Sequence, residues 1–485
     1  MAKYITIFII GLFVSFSVFF PETIQIYTKA TLSFILTKFG WLYLLIGFTL
    51  LCVCLYLVFG PYSSVKLGKD DDRPTYPFFS WLAMLFAAGM GIGMVFYGVT
   101  EPLSHYKNPP LGLAEPNTPE AGILALRYTI FHWGLHPWAI YGFLGLCIAY
   151  NRFRNNRTYL IGDLFTSLGL KIHWKQWIDV VSLIGVSFGV ATSLGLGSLQ
   201  IHSGLSYVFG LPEGIYITVF IILLTTVFYI SSAMIGLDKG IKILSNGNMI
   251  LAMILMFALL FLGPTNFIIE LFFSSVGTYL QNLITMSFRM APFTDSHWLR
   301  DWTFFYWAWW ISWAPFVATF IARISKGRTI KEFLSGVLLV PCLLSAFWFS
   351  VLGGSAIYLE RFEAVPIYEL AGGDITKMLF VTFGYLPFGE VLSFLSIFLV
   401  FIFFITSADS ATFVLGMFAS GGKPDPSLKV KFLWGSMISI LACALLLSGG
   451  LLALQTMAII ISFPFALVLF LLVWAFLKDI RKENP

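Results

Sequence analysis

A chain of 485 residues that is 58% hydrophobic and only 11% charged has too little polar surface to cover a water-soluble globule of its size. Its net charge of +5 is spread between apolar runs and makes no concentrated basic face, which excludes a nucleic-acid footprint. The apolar runs have the length that helices of roughly 17 to 30 residues need to cross hydrocarbon, and they lack the short alternation of a β-barrel.

The pattern predicts an all-α polytopic membrane protein with twelve spans, centred near residues 12, 50, 90, 139, 191, 225, 256, 311, 346, 402, 439 and 464. The first begins just after Lys3 and is followed by Phe20-Pro21-Glu22 in place of a small-residue cleavage site, so it is expected to stay as a membrane helix. Lys66, Lys69 and Arg73, then Arg152, Arg154 and Arg157, then Arg323, Lys326 and Arg328, then Lys478, Arg481 and Lys482 load alternate loops. Basic residues resist translocation, so these loops and both termini are expected to be cytoplasmic, in a bacterial-type inner membrane.

Span three carries Gly89, Gly91, Gly93 and Gly98. Such spacing often marks close helix packing, and it also permits an unwound segment whose free amides and carbonyls line a cavity. Span four holds Trp133, Trp138 and Tyr141 around Pro137, together with His132 and His136. The two histidines have a spacing that can hold a metal, but with no third ligand visible in the sequence they are expected to be buried hydrogen-bonding groups. The apolar stretch from about 266 to 286, interrupted by Glu270, Gln281 and Asn282, is expected to be an interfacial helix.

Span eight concentrates Trp302, Trp307, Trp309, Trp310 and Trp313, followed by Pro315. One tryptophan is usual at a membrane interface, but this run continues several turns inward. With Trp302, Tyr306, Trp309 and Trp313 on one helical face, it suggests a cage for a quaternary ammonium. That ion has no N–H to donate and is held best by aromatic faces. No Asp or Glu is expected deep in spans three, four, five or eight, which favours a zwitterion carrying its own counter-charge. In span ten, adjacent Thr406 and Ser407 offer oxygen ligands for sodium, or else back-bond to their own helix, with Asp409 nearby as a functional acid or a brace. The five cysteines, Cys52, Cys54, Cys147, Cys342 and Cys443, fall in apolar spans and are expected to be packing residues. Spans three and eight, both expected to be interrupted near mid-membrane, start five spans apart. This suggests residues 1–76 as two peripheral helices, 77–286 as a first inverted repeat and 287–485 as a second.

The pattern from Trp302 through Trp307-Ala308-Trp309-Trp310-Ile311-Ser312-Trp313-Ala314-Pro315 to Arg323-Ile324-Ser325-Lys326-Gly327-Arg328-Thr329 resembles the betaine/carnitine/choline transporter family. So do Gly89-Met90-Gly91-Ile92-Gly93 with Tyr97-Gly98-Val99-Thr100-Glu101-Pro102, the His-Trp stretch of span four, and Thr406-Ser407-Ala408-Asp409-Ser410. The resemblance covers about residues 60 to 475. It implies a LeuT-type fold, homotrimers in the lipid bilayer and alternating access, with no enzymatic activity and no cofactor beyond a coupling sodium ion. It implies a cage of Trp133, Trp138, Tyr141 and Trp310, with Trp309, Trp313, Gly89, Gly91 and Gly93 around the substrate. Trp302, Trp307 and Phe316 fall along the pathway. Sodium falls to backbone oxygens of Ala87, Met90 and Phe403 with the hydroxyls of Thr406 and Ser407.

Val186 and Val190 stand where some relatives have hydroxyls for a second ion. Gly93 stands where choline-selective relatives have an acid, and no Lys or Arg replaces the ion inside span five. With only the tail from Lys478 to Pro485, strong osmotic self-regulation is not expected. Together these imply sodium-driven uptake of glycine betaine. Proton-coupled choline or carnitine uptake, or substrate exchange, is the rival on the same fold, and an osmolyte channel or sensor is the rival of another class.

Overall fold

The computed structural model describes residues 1–89, 91–235, 240–293 and 297–483. Seventeen α-helices follow in order: α1 (Ala2–Phe19), α2 (Pro21–Phe59), α3 (Phe78–Gly89), α4 (Ile92–Lys107), α5 (Pro119–Trp133), α6 (Leu135–Ala149), α7 (Ile172–Phe209), α8 (Ile215–Ile235) and α9 (Gly240–Leu262). Then come α10 (Thr265–Ser287), α11 (His297–Leu299), α12 (Phe305–Arg323), α13 (Ile330–Phe362), α14 (Ile367–Leu370), α15 (Met378–Gly384), α16 (Gly389–Ala419) and α17 (Leu428–Ile480). Among the described residues there is no β-strand, and nine helices are long and apolar enough to cross a membrane.

Long helices are what lipid demands, because a spanning backbone must satisfy its polar groups internally. The exceptions lie between packed helices. Span three divides into α3 and α4 across the glycine run, as its composition suggests, with Gly91 fully extended at φ −159° and ψ −177°. Span four also breaks, at Gly134 between α5 and α6, which the sequence reading did not foresee. A Cβ there would lie 2.4 Å from Ile130 O, and the amide of Leu135 donates to the Tyr279 hydroxyl at 3.3 Å. The last helix bends where Gly449 and Gly450 leave helical backbone geometry.

Span eight, by contrast, corrects the expectation of a break at Pro315. That residue sits inside an unbroken α12, and Thr319 Oγ1 donates to its carbonyl at 2.7 Å. A proline removes one backbone hydrogen bond, and the packing around a membrane helix absorbs that loss. The irregularity lies instead at the other end, where Arg300–Phe304 forms a π-turn between α11 and α12.

Most of the predicted site residues lie on α3, α4, α5, α6, α12 and α16, and α7 packs against α4, α12 and α16. α12 packs on α6, α7 and α17, while α4 packs on α5, α7 and α13. Contact between α4 and α13 is close because Gly353 has no side chain: a Cβ there would fall 2.4 Å from Pro102 Cγ, part of a ring that cannot swing away. Gly353→Val is therefore expected to destabilise the protein by about 1–3 kcal/mol through overpacking, read as a lower midpoint of heat-induced aggregation in detergent.

Loops that carry most basic residues meet at one end. Leu67 N donates to Arg328 O and Gly327 N to Leu67 O, each at 2.8 Å. Gly327 has φ +82°, and a Cβ there would strike Arg73 O. Buried Arg328 donates to Tyr76 O at 2.7 Å and lies 4.6 Å over the Trp81 ring, so the Arg323–Thr329 motif ties the start of α3 to the α12–α13 turn. At the same end Arg154 bonds both Asp70 and Glu483, and its guanidinium holds the Glu483 carboxyl below its ordinary pKa.

Candidate functional site

Between these helices lies a cavity of about 820 Å³, within the usual range for small-molecule sites. It opens at the end bearing Tyr76, Ser80 and Arg323, all exposed. Its inner part is lined by Gly91, Gly93, Trp133, Trp138, Tyr141, Trp309, Trp310, Trp313 and Phe316, and by Phe403, Thr406 and Ser407 of α16. Residues predicted from four separate spans thus share one chamber.

The aromatic geometry is that of a box. Trp133 and Trp310 stand edge to face, ring centres 4.8 Å apart and planes at 73°. Trp309 and Trp310 stack at 5.0 Å and 13°, Tyr141 faces Trp310 at 6.2 Å, and Trp138 meets Tyr141 at 5.6 Å. Two of the rings are held from behind: Trp310 Nε1 donates to His132 O at 2.9 Å, and Trp133 packs on Phe349 at 5.0 Å. Away from the mouth the box is closed by Tyr97, Phe305 and Tyr306, with Tyr97 5.3 Å from Tyr306 and Phe305 stacked 5.6 Å from Trp309. The free amides at the start of α4 and the partnerless indole N–H groups of Trp309 and Trp313 are hydrogen-bond donors of the chamber wall.

One tryptophan departs from the predicted arrangement. Trp307 does not line the chamber; it is fully buried on the opposite side of α12, where it packs on Phe131 at 4.8 Å and His136 at 5.5 Å and fits against Gly47 of α2. At 100° per residue it points about 200° away from Trp309, so a shared helix did not mean a shared face. Trp302 lies beyond the closed end, 4.5 Å from His105 and 6.3 Å from Tyr97, half-buried.

The expectation that span three holds no acid in its interior is also corrected, although among the described residues no Asp or Glu lines the chamber. Glu101 of α4 is fully buried directly behind the box, where its Oε2 accepts from Trp133 Nε1 at 2.8 Å and from the Tyr306 hydroxyl. Its Oε1 meets His132 Nδ1 at 2.7 Å, and His105 Nε2 stands 3.4 Å away. His132 therefore has two potential co-ligands, Glu101 and His105, that its sequence neighbourhood did not reveal; one ligand atom from each falls within 4.8 Å of the others. They form a hydrogen-bonded cluster, closed on the far side by Thr303 Oγ1 at 2.9 Å from His132 Nε2. His136 is separate and bonds Ser287 at 2.9 Å. An acid in an apolar span was the available signal, and Thr100-Glu101-Pro102 hid it by reading as the end of the span.

At the predicted ion position, Thr406 Oγ1 donates back toward Ile402 O at 3.0 Å and accepts from Asn248 Nδ2 at 3.1 Å. Asn248, from α9, was not predicted. Ser407 lines the chamber beside it. Ala87 lies in the last turn of α3, where carbonyls lack helical partners, while Met90 falls outside the described residues. Asp409 accepts from Ser232 Oγ at 2.6 Å, bracing α16 against α8. Val186 and Val190 are buried, and the hydroxyls near them, Ser187 and Ser193, bond back to Leu183 O and Gly189 O. All five cysteines are free.

A helical membrane protein with an aromatic chamber at the junction of broken helices has the construction of a solute transporter. Its sequence matches the profile of the BCCT, betaine/carnitine/choline family transporter, across residues 2–485, and the chain belongs to that family, whose members are transporters and not enzymes. It is 46% identical to the glycine betaine transporter OpuD of Bacillus subtilis, over 99% of this chain and 94% of the relative. It is 39% identical to an ectoine/hydroxyectoine transporter of Virgibacillus pantothenticus, over 99% and 96%, and 37% identical to a glycine betaine transporter of Acinetobacter baylyi, over 99% and 73%.

Proposed function

We propose that the chain takes up a quaternary-ammonium compatible solute, glycine betaine first, by sodium symport with alternating access. The observation that carries this is the box itself: Trp133, Trp138, Tyr141, Trp309 and Trp310 converge on one chamber, the arrangement that a cation without N–H donors requires. The donors at the start of α4 suit the carboxylate of a betaine. The names of the relatives support the same solute class, and the ectoine transporter among them makes ectoine the first competitor to test.

The reading includes twelve spans in a LeuT-type fold with two inverted repeats, 77–286 and 287–485, after a peripheral pair in 1–76. In it α10 is interfacial, the assembly is a homotrimer, and both termini face the cytoplasm of an inner membrane. On that orientation the chamber opens inward and Tyr97, Phe305 and Tyr306 form the closed outer side, with Trp302 beyond it on the outer pathway and Phe316 on the inner. Binding of sodium and solute shifts the balance between inward- and outward-open forms only through their different affinities for the two.

For the ion, oxygens of the α3 terminus, Phe403, Thr406 and Ser407 form a hard donor set of the kind sodium prefers. The Asn248 amide holds Thr406 Oγ1 in this form. Sodium entry then requires Asn248 to release that oxygen, which couples α9 to the ion. No second sodium is part of the reading. Removing the hydroxyls in Thr406→Val with Ser407→Ala is expected to raise the sodium concentration for half-maximal uptake about fivefold or more, since one lost polar contact is worth about 1 kcal/mol.

Uptake of radiolabelled glycine betaine into proteoliposomes, with sodium replaced by potassium and with a panel of choline, carnitine, ectoine and proline as competitors, tests the whole reading. Sodium-dependent accumulation above the outside concentration supports it. Accumulation driven by a proton gradient alone, or downhill flux alone, overturns the symport.

A further inference from the structure

Glu101 lines no part of the chamber, yet it meets the back of the cage more directly than any other charged side chain among the described residues. One carboxylate oxygen accepts two hydrogen bonds, from the indole N–H of Trp133 and from the hydroxyl of Tyr306. Trp133 is a wall of the cage. Tyr306 stacks beneath Trp310, rings 5.8 Å apart at 19°. The other oxygen reaches His132, whose own carbonyl receives the Trp310 indole N–H at 2.9 Å. Both principal cage tryptophans are therefore tied to one residue, Trp133 directly and Trp310 through His132. The far side of His132 rests on Thr303 in the π-turn, so the irregular backbone of Arg300–Phe304 closes the network.

We infer that Glu101 is a positioning residue for the aromatic cage, fixing the angle between Trp133 and Trp310 that a trimethylammonium group needs. The inference rests on the cage reading above. A cation held by ring faces gains most when the faces are already oriented, because ordering flexible side chains on binding costs affinity. An indole whose N–H donates to a carboxylate is locked about its χ angles and made more electron-rich across its face. A buried donor left without its acceptor is costly and turns to find another. Losing Glu101 would strand the Trp133 and Tyr306 donors together.

The geometry also says which substitution should restore function. In Glu101→Gln the amide oxygen can still accept from Trp133 and Tyr306 while its NH2 faces His132 Nδ1. The imidazole then needs only its other tautomer, with Nε2–H donating to Thr303 Oγ1. In Glu101→Leu no acceptor remains. Two measurements on the full-length purified protein decide the matter: the ultraviolet resonance Raman signature of the Trp133 indole N–H, assigned by difference against Trp133→Phe, and the KM and Vmax of glycine betaine uptake in proteoliposomes.

Glu101→Leu is expected to shift the indole band and raise KM about tenfold with Vmax within twofold, and Glu101→Gln to restore both. A wild-type KM in Glu101→Leu despite a shifted band overturns the positioning role. So does a Glu101→Gln protein with normal KM and lost Vmax, which would make the carboxylate a proton carrier. A wild-type protein that neither binds nor transports betaine refutes the substrate reading instead; the Raman arm, repeated with whichever competitor is taken up, then decides the positioning role.

Discussion

Trp310→Leu is expected to abolish the uptake of radiolabelled betaine at concentrations well below the wild-type KM, while the protein still elutes as one folded species from size-exclusion chromatography. Trp310 contributes a ring face to the chamber, completes the stack with Trp309 at 5.0 Å and meets Trp133 edge to face at 4.8 Å. A desolvated cation over an indole is worth about 2 kcal/mol or more, so removal of that one face weakens binding about 30-fold. Loss of the stacked partner also frees Trp309, which multiplies the defect to more than about 100-fold. Leucine fills most of the apolar volume, so the fold survives. Wild-type uptake by this variant, measured beside its surface expression, would remove the cage from the mechanism; Trp310→Phe, keeping a ring face, should recover part of the activity.

Gly93→Ala is the second large effect, and its contrast with Gly91→Ala is the informative part. A Cβ on Gly93 would lie 2.7 Å from Trp309 Cη2 and 2.8 Å from Trp133 Cη2, so one methyl wedges both rings out of the box. A Cβ on Gly91 meets nothing within 4 Å, and its extended backbone is open to any residue. The expected result is a KM raised about 30-fold for Gly93→Ala, from overpacking worth about 2 kcal/mol, and within threefold for Gly91→Ala. Equal KM values in the two variants would mean that the glycines serve backbone freedom alone. Any side chain at position 93 must first displace two indoles.

The aromatic run and the glycine run were legible because each is a local excess that composition makes visible. That the chain is built of long apolar helices was legible for the same reason. Other features were not local. Glu101 reads as the end of a span, and only the packing of α4 on α5 and α12 turns it into the hub behind Trp133 and Tyr306. Trp307 reads like its neighbours and faces the other way. Asn248 lies far from Thr406 in the chain and beside it in space, at 3.1 Å. Gly134 looks like an ordinary small residue, and its break depends on a hydroxyl from α10.

By itself the sequence determined that this chain lives in lipid as a helical bundle, which kind of solute its tryptophans suit, and which family it belongs to, since hydropathy and motif spacing are properties of consecutive residues. The tertiary structure alone decided which indoles share a chamber, what orients them and where the chamber opens. Those depend on the rotation of each helix about its axis and on contacts between segments remote in sequence, which side-chain packing fixes only when the helices meet.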